Sequence, residues 1–536
     1  MLVCILAAFL AALVHLAWHT GVTVDEPSHL VSSYFYWHGH DNLKPRDMPP
    51  LIKAVGGWVP RLLGLPIPYD RKDIWNSQHE WPIALEVMER LRVRVPKVFF
   101  LSRLPLLVFP LGVALLIWWW ARRIFSPVAG IVLAAAFCLE PTVLGHGPLF
   151  KNDLAATFGY LLFWYRAWVY WRKPSPANAA WLGLGLTVAV LAKLSMLILL
   201  AIAPLVIVVR GLTLSPRRYR ALALGLVLVT LIPYLGSIAA CQFDTRRAFG
   251  VLPMPEPLWD GTLSLMQAGR DAPDVFFLGR RIGGGNLFYF LAALAMKVPV
   301  PLQLLLLGGL LLEARALRRK EFDARRLFWI APPWLYIGLA SFSSFQLGVR
   351  LVLPALALAL LACGPAVEWL LPRRRAVVLA GLFALLAART AWVYPHNISF
   401  FNLWLGNAEY GARLLSDSNV DWGQDLRELA TVVHQAGIRE FHLSYFGSDC
   451  VWAYFTDKEA IPLAPPWSGD LATGPVYRPE PGYYAISASL LPGHLFEKPY
   501  QNYYRAFWGL EPVAKAGYSI YVYRIDPLPA EVASRQ

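Results

Sequence analysis

Long apolar runs separated by short polar stretches fill the first 395 residues. About 20 consecutive apolar residues suffice for a helix to cross the hydrocarbon core of a bilayer. Eleven candidate spans can be marked, at roughly 2–18, 97–120, 127–145, 153–171, 177–192, 194–210, 219–240, 285–313, 327–345, 349–371 and 376–394. The segment 285–313 is too long for one simple span and holds Lys297 and Pro299, which predicts an interfacial helix followed by a short span. Leu2–Trp18 has neither a basic leading region nor a small-x-small cleavage signal, so it reads as a retained anchor and not a signal peptide.

Two longer polar segments, 19–96 and 241–284, interrupt the apolar pattern. In the first, Pro27–Gly39 follows Asp25 and Glu26 and predicts a short helix, because acidic residues suit a helix start. Leu51–Leu65 is apolar and punctuated by Gly and Pro, as expected of a helix lying in the interface. From residue 396 the pattern changes to short, broken apolar runs. Asp421 is expected to cap a helix running to about Gln435 and ending at Gly437. Phe441–Phe446, Tyr483–Ser489 and Tyr518–Ile525 have strand composition. The prediction is an α-helical polytopic membrane protein of about 11 transmembrane helices (residues 1–395) with a small C-terminal α/β domain (396–536).

Composition agrees with the membrane reading. Hydrophobic residues make up 57% and charged residues 16%, against about 25% charged in soluble domains. The net charge of +14 would suggest nucleic acid in a soluble protein, but its distribution points elsewhere. With the N-terminus inside, the inner loops hold Arg122–Arg123, Arg172–Lys173, Arg210 with Arg217, Arg218 and Arg220, Arg318–Arg319–Lys320 with Arg325–Arg326, and Arg373–Arg374–Arg375. Every short inner loop is basic, as the positive-inside rule requires. The C-terminal domain and both long segments then face outward, from a multi-pass position in the cell (inner) membrane. The five cysteines have no metal-ligand spacing. They read as apolar filler, with a Cys241–Cys450 disulfide as the alternative.

Charges at the outer edge of the membrane are costly and mark candidate chemistry. They include Asp25, Glu26, Asp47, Lys53, Lys151, Asp153, Lys193, Lys297 and Arg350. Asp25 lies within about seven residues of the first span, where a carboxylate could take a proton from an acceptor hydroxyl; capping of the following helix is the plainer alternative. Asp153 in a short hairpin is also a natural cap. Lys193 sits between two apolar stretches with almost no loop, as a phosphate-binding point charge or a snorkelling side chain. Arg350, at the start of another span, poses the same choice. The tail stretch Asp417-Ser-Asn-Val-Asp421-Trp-Gly-Gln-Asp425 resembles a calcium loop in its oxygen spacing. Its glycine is displaced by one position, however, and turn chemistry fits it better. No zinc-binding His pair, Walker A motif or dinucleotide fingerprint occurs. No cofactor is called for, and a divalent metal has no support from ligand spacing. Asn397-Ile-Ser399 is a formal glycosylation sequon.

Several of these stretches resemble one family, in order and in sidedness. Val24-Asp25-Glu26-Pro27 resembles the first-loop acidic motif of C-type membrane glycosyltransferases, above all the protein O-mannosyltransferase-like group and its relative, the lipid A aminoarabinose transferase. Met48-Pro49-Pro50-Leu51-Ile52-Lys53 resembles that group's HPPLGK stretch, with Met48 where a His or Lys is usual. Leu144–Asp153 is similar to its second acidic loop, and Leu191-Ala-Lys193-Leu-Ser195 to its lysine hairpin. Asp417–Leu426 looks like a stretch of bacterial members with an extra outer domain.

The resemblance implies an inverting transferase. It would move a sugar, mannose or another hexose or a pentose, from a polyprenyl-phosphate donor to a protein or glycolipid acceptor on the outer face. It implies Asp25 as the general base or its organiser, Glu26 as its neighbour, and Asp153 positioning acceptor or sugar. Lys53, Lys193 and Arg350 would hold the donor phosphate. Met48 removes one polar contact that Asp47 could partly replace. Two other classes remain open on the residues alone. One is a transporter or flippase of lipid-linked sugars, for which the one-sided charges and lack of internal symmetry argue poorly. The other is a non-catalytic membrane scaffold.

Overall fold

A computed structural model describes residues 1–39, 43–44, 46–213, 219–248, 252–272, 274–406, 408–466 and 474–527. Arg217 and Arg218 lie outside the described residues. Each of the eleven apolar segments contains a helix. Among the described residues, seven helical stretches are long and apolar enough to cross a membrane: Leu2–His19, Glu80–Ile124, Leu194–Leu212, Tyr219–Ala240, Val300–Arg318, Val349–Leu370 and Arg373–Val393. Pro127–Cys138 and Pro176–Ala192 are shorter apolar helices. The expected break in 285–313 is present, with one helix ending at Lys297 and the next starting at Val300, either side of Pro299.

Local chemistry starts several of these helices. Ser126 and Ser175 each accept a backbone N–H two residues into the helix they cap, and a proline follows each cap. The helices bury one stripe and expose the other. In Leu2–His19 only Phe9, Leu13, Leu16 and Ala17 are buried, while large apolar side chains such as Leu205, Leu311 and Trp392 are exposed. Such outward apolar faces suit hydrocarbon as solvent. Small residues bring helices together: a Cβ on Gly159 would lie 2.6 Å from the Ala189 Cα. Arg210 donates to the Trp171 carbonyl at 2.8 Å, so the basic ends of two helices meet.

The segment 19–96 folds as Glu26–Tyr36, Pro50–Gly56, Trp58–Leu63, Lys72–Trp75 and Glu80–Leu91. In 241–284 two hairpins, Thr245–Ala248 with Leu252–Pro255 and Val275–Phe277 with Arg280–Ile282, flank the helix Glu256–Arg270.

The tail carries a five-stranded sheet in the spatial order Ala460–Pro462, Phe441–Ser444, Gly482–Ser487, Ile520–Ile525, Ala514–Ala516. The first three strands are parallel and the last two pair antiparallel, with Ala485 opposite Val522. Side chains alternate across it. Ala485, Ile520 and Val522 pack with Leu426, Leu429 and Val433, which share one face of the helix Leu426–Gln435. Tyr484, Ile486, Tyr521 and Tyr523 join the main core on the other side.

Three expectations need correction. The tail helix starts at Leu426, not after Asp421. Gly423, at φ +83°, reverses the chain first, in a conformation that glycine adopts without strain. The sequon Asn397 is 1% exposed, buried in a short turn, so it offers no glycosylation site in this fold. All five cysteines are free, so Cys241 and Cys450 form no disulfide.

The stretch 397–425 does not stay with the sheet. Lys297 Nζ donates to the carbonyls of Ile398 and Asn419. The amide of Val349 donates to Asn419 Oδ1 at 3.0 Å. The amides of Gly21 and Val24 donate to the carbonyls of Gln424 and Trp422. This stretch is therefore wedged among the membrane helices and against the chain just after the first of them.

Candidate active site

Asp25 and Glu26 are adjacent but point into different environments. Glu26 is fully buried. Its Oε2 accepts from Thr23 N, Thr23 Oγ1 and Arg103 Nη2, and its Oε1 from Arg103 Nε and Phe150 N, all within 3.1 Å. Arg103 completes its set of five hydrogen bonds on the carbonyls of Ala17, Thr20 and Gly21. A buried fork of this kind pins the end of the first helix to the start of Glu26–Tyr36. The Glu26 carboxylate therefore has no face left for a substrate and does not line the cavity described below.

Asp25 makes no side-chain cap to the helix it precedes. Its carboxylate is 24% exposed and meets Lys151 Nζ at 2.6 Å and Arg350 Nη2 at 3.8 Å. Burial alone would raise its pKa, but Lys151, Arg350 and His29 together bring it down to about 2, so Asp25 is ionised at neutral pH. His29 lies one helical turn on. Its Nδ1 is 3.3 Å from the Phe150 carbonyl, where only an N–H fits, which leaves Nε2 as the acceptor facing Lys151 Nζ at 3.4 Å. Burial, then Lys151, hold His29 near about 3 and therefore neutral.

A second carboxylate lies across Arg350. Asp153, 1% exposed, pairs with Lys193 Nζ at 2.6 Å and with Arg350 Nη1 at 3.6 Å. Arg350 Nε donates to Ser418 Oγ at 2.9 Å. Its guanidinium stacks 4.0 Å above the Trp422 ring, and Lys151 Nζ lies 5.3 Å from that ring. Carboxylates and cations thus alternate in one row: Lys151, Asp25, Arg350, Asp153, Lys193.

The row borders a cavity of about 630 Å³, lined by Asp25, Lys151, Lys193 and Arg350 together with His29, Asp47 and Met48. Its apolar side is formed by Leu194, Met266, Phe290, Tyr336 and Phe342. Three ammonium or guanidinium groups within reach of one space can hold a phosphate, while the carboxylates can hold hydroxyls. The apolar side can take a hydrocarbon chain.

The structure brings Asp25, Asp153, Lys193 and Arg350 together, although Asp153 stands behind its two cations and not in the cavity wall. It does not bring in Glu26 or Lys53. Lys53 is 1% exposed in the helix Pro50–Gly56 and is not part of the cavity lining. Lys151, His29 and Trp422 were not picked out by sequence reasoning as site residues. Lys151 carried a signal, as one of the few charges at the outer edge. Trp422 and Arg103 had none, because their partners are distant in the chain. In the oxygen-rich stretch 417–425, Asp417 accepts from the Ser418 amide and Asp421 from the amides of Gly423 and Ser489, while Asp425 accepts from Ser519 Oγ. That is turn chemistry rather than a ring of ligands.

The helices and the C-terminal sheet share the fold of a C-type membrane glycosyltransferase of known structure. Among solved structures, the chain is similar to ArnT from Cupriavidus metallidurans bound to undecaprenyl phosphate, at a TM-score of 0.50 and 13% identity over 97% of both chains. The apo state of that protein aligns at 0.47 and 15% identity, again over 97% of each chain. The apo oligosaccharyltransferase of Archaeoglobus fulgidus aligns at 0.47 and 12% identity, over 92% of this chain and 70% of that one. No family model and no curated protein matches the sequence.

Proposed function

We propose that this chain is an inverting glycosyltransferase that moves a sugar from a polyprenyl-phosphate donor to an acceptor hydroxyl on a protein or glycolipid. The reading places the N-terminus in the cytoplasm and the reaction on the outer face of the cell membrane, with residues 1–395 as the transferase part and 396–536 as the outer domain. The observation that carries it is the row from Lys151 to Lys193 bordering a cavity with one apolar side. That combination fits a phosphate at headgroup level whose prenyl tail stays in hydrocarbon.

In this reading Lys151, Lys193 and Arg350 turn to the donor phosphate. The acceptor oxygen attacks the anomeric carbon as the bond from that carbon to the phosphate oxygen breaks. The electron pair leaves on the phosphate, where the cations stabilise the growing charge. The acceptor proton passes to Asp25. With a pKa of about 2 Asp25 is a weak base, but the two cations that hold it there are the ones the donor phosphate engages. Donor binding therefore raises the basicity of Asp25 when a base is needed. Asp153 keeps Lys193 and Arg350 in place.

The test is transfer from undecaprenyl-phosphate-linked sugar by the purified protein in lipid nanodiscs, with envelope membranes as acceptor and released undecaprenyl phosphate as readout. Asp25→Asn is expected to abolish release and leave the unfolding transition in place. Full activity of that variant would end the proposal.

A further inference from the structure

A second cavity is larger than the one beside the row of charges. It holds about 920 Å³, within the range of small-molecule sites. It lies between the hairpin Val275–Phe277/Arg280–Ile282, the short helix Ala408–Ala412 and the outer sheet. We propose that it binds an acidic oligosaccharide, the glycan part of the acceptor. The acceptor assignment rests on the transferase reading above; the saccharide site does not.

Charge comes first. The lining carries Arg280, Arg281, Arg413 and Lys515 against Glu409 and Glu511. Lys515 is neutralised by Glu409 at 2.8 Å. Arg281 is held in place by the carbonyls of Pro492 and Gln501, so its position does not depend on a ligand. Arg280 and Arg413 are exposed and have no carboxylate partner among the described residues. Guanidinium groups pair with carboxylate or phosphate through two parallel hydrogen bonds.

Aromatic surface comes second. Phe276, Phe507, Trp508, Tyr521 and Tyr523 line the same space. Trp508 stays 46% exposed, and its indole N–H donates to the Leu491 carbonyl, which holds the ring in place. Flat aromatic faces accept the C–H faces of sugar rings, and Gln501 and Asn502 bring amides for hydroxyls. The buried Tyr521 hydroxyl has no hydrogen-bond partner among the described residues. Arginine alone would fit any anion; arginine beside the exposed indole of Trp508 fits an anionic sugar chain.

Position comes third. A small void lies between this cavity and the reaction cavity. Phe276 walls both the large cavity and the void, and Leu347 walls both the void and the reaction cavity. A glycan held in the large cavity thus lies next to the row of charges, on the side of the outer domain. That is the place for an acceptor and not for a membrane-anchored donor.

The experiment is calorimetric titration of the full chain in nanodiscs with trigalacturonate, with maltotriose and triglutamate as controls. Trigalacturonate is expected to bind, with the two controls at least about tenfold weaker. The paired exposed substitutions Arg280→Glu and Arg413→Glu, and separately Trp508→Ala, are each expected to weaken trigalacturonate about tenfold. Undecaprenyl phosphate binding should be unchanged in both. The inference is overturned if the wild type does not bind trigalacturonate, if maltotriose or triglutamate binds equally well, or if neither variant weakens it. Binding is read without transfer, so such a result leaves the glycosyltransferase reading standing. Conversely, a wild type that transfers no sugar but binds trigalacturonate removes that reading alone.

Discussion

Two neighbouring carboxylates should behave in opposite ways when their charge is removed. Glu26→Gln replaces one of two fully occupied oxygens with a donor. Whichever way the amide settles, at least two of the five donors facing Glu26 lose their acceptor. Hydrogen bonds to charged groups contribute about 1.5–3 kcal/mol each, and Arg103, 1% exposed, is left as a buried cation without its counter-ion. Breaking a buried pair from one side costs about 3–5 kcal/mol, and the two routes agree. Asp25→Asn removes a carboxylate that is 24% exposed to the cavity and faces cations that are also near Asp153 or Trp422. Its cost should be well below that of Glu26→Gln, because Arg350 keeps Asp153 and Lys151 keeps the Trp422 ring. Four of the five cysteines are buried, so a thiol-reactive fluorophore reports unfolding directly, with Cys4 as the early baseline. Glu26→Gln should expose the buried thiols at clearly lower temperature, and Arg103→Met should cost far less in that background than alone. Asp25→Asn should unfold with the parent and fail only in catalysis. The reasoning is refuted if Glu26→Gln unfolds with the parent protein, or if Asp25→Asn is destabilised as much as Glu26→Gln.

Further outcomes follow from the same geometry. Lys193→Gln and Arg350→Gln should each weaken undecaprenyl phosphate binding about tenfold or more, read by calorimetry, because each removes a charge-assisted contact. Trp422→Ala should lower kcat/KM about tenfold through loss of the surface under Arg350 and Lys151, with Trp422→Phe recovering part of it. Burial raises the Asp421 pKa to about 8. The folded state then holds a proton that the unfolded state releases above about 3.9. Stability should therefore fall as pH rises from about 4 to 8, and Asp421→Asn should flatten that slope in the thiol assay. Leu429→Ala should destabilise the C-terminal sheet by about 2–5 kcal/mol, detected as early proteolysis of the tail.

The positions of the helices could be read from the chain because apolar runs of that length have few other uses, and Pro299 marked its own break. The sheet could be read from β-branched and aromatic alternation, as in Tyr483–Ser489. Asp25 and Lys193 stood out in the sequence because a charge beside a span needs a reason, and the structure places both at one cavity. The failures share a different origin. Glu26 looked as free as Asp25, since its partner Arg103 is 77 positions away and resembled one more basic residue in a basic stretch. Lys53 was placed by motif similarity, yet in the helix Pro50–Gly56 it is buried and does not line the cavity. Asp421 was expected to open a helix because Asp is a good cap, but Gly423 two residues later interrupts the chain. Trp422 could not have been found, because its role depends on a fold that returns the tail to the first loop.

That return has a consequence for how the protein is made. Lys151 and Asp25 come from the first third of the chain, but the ring beneath Lys151 and Arg350 comes from residue 422, and the strand of chain after the first helix is tied to residues 422 and 424. During synthesis all the membrane helices precede this wall. A ribosome-bound or truncated chain with every helix inserted would still lack the surface on which its two key cations rest. The cavity wall is therefore completed late, when residues 422 and 424 dock against the chain after the first helix.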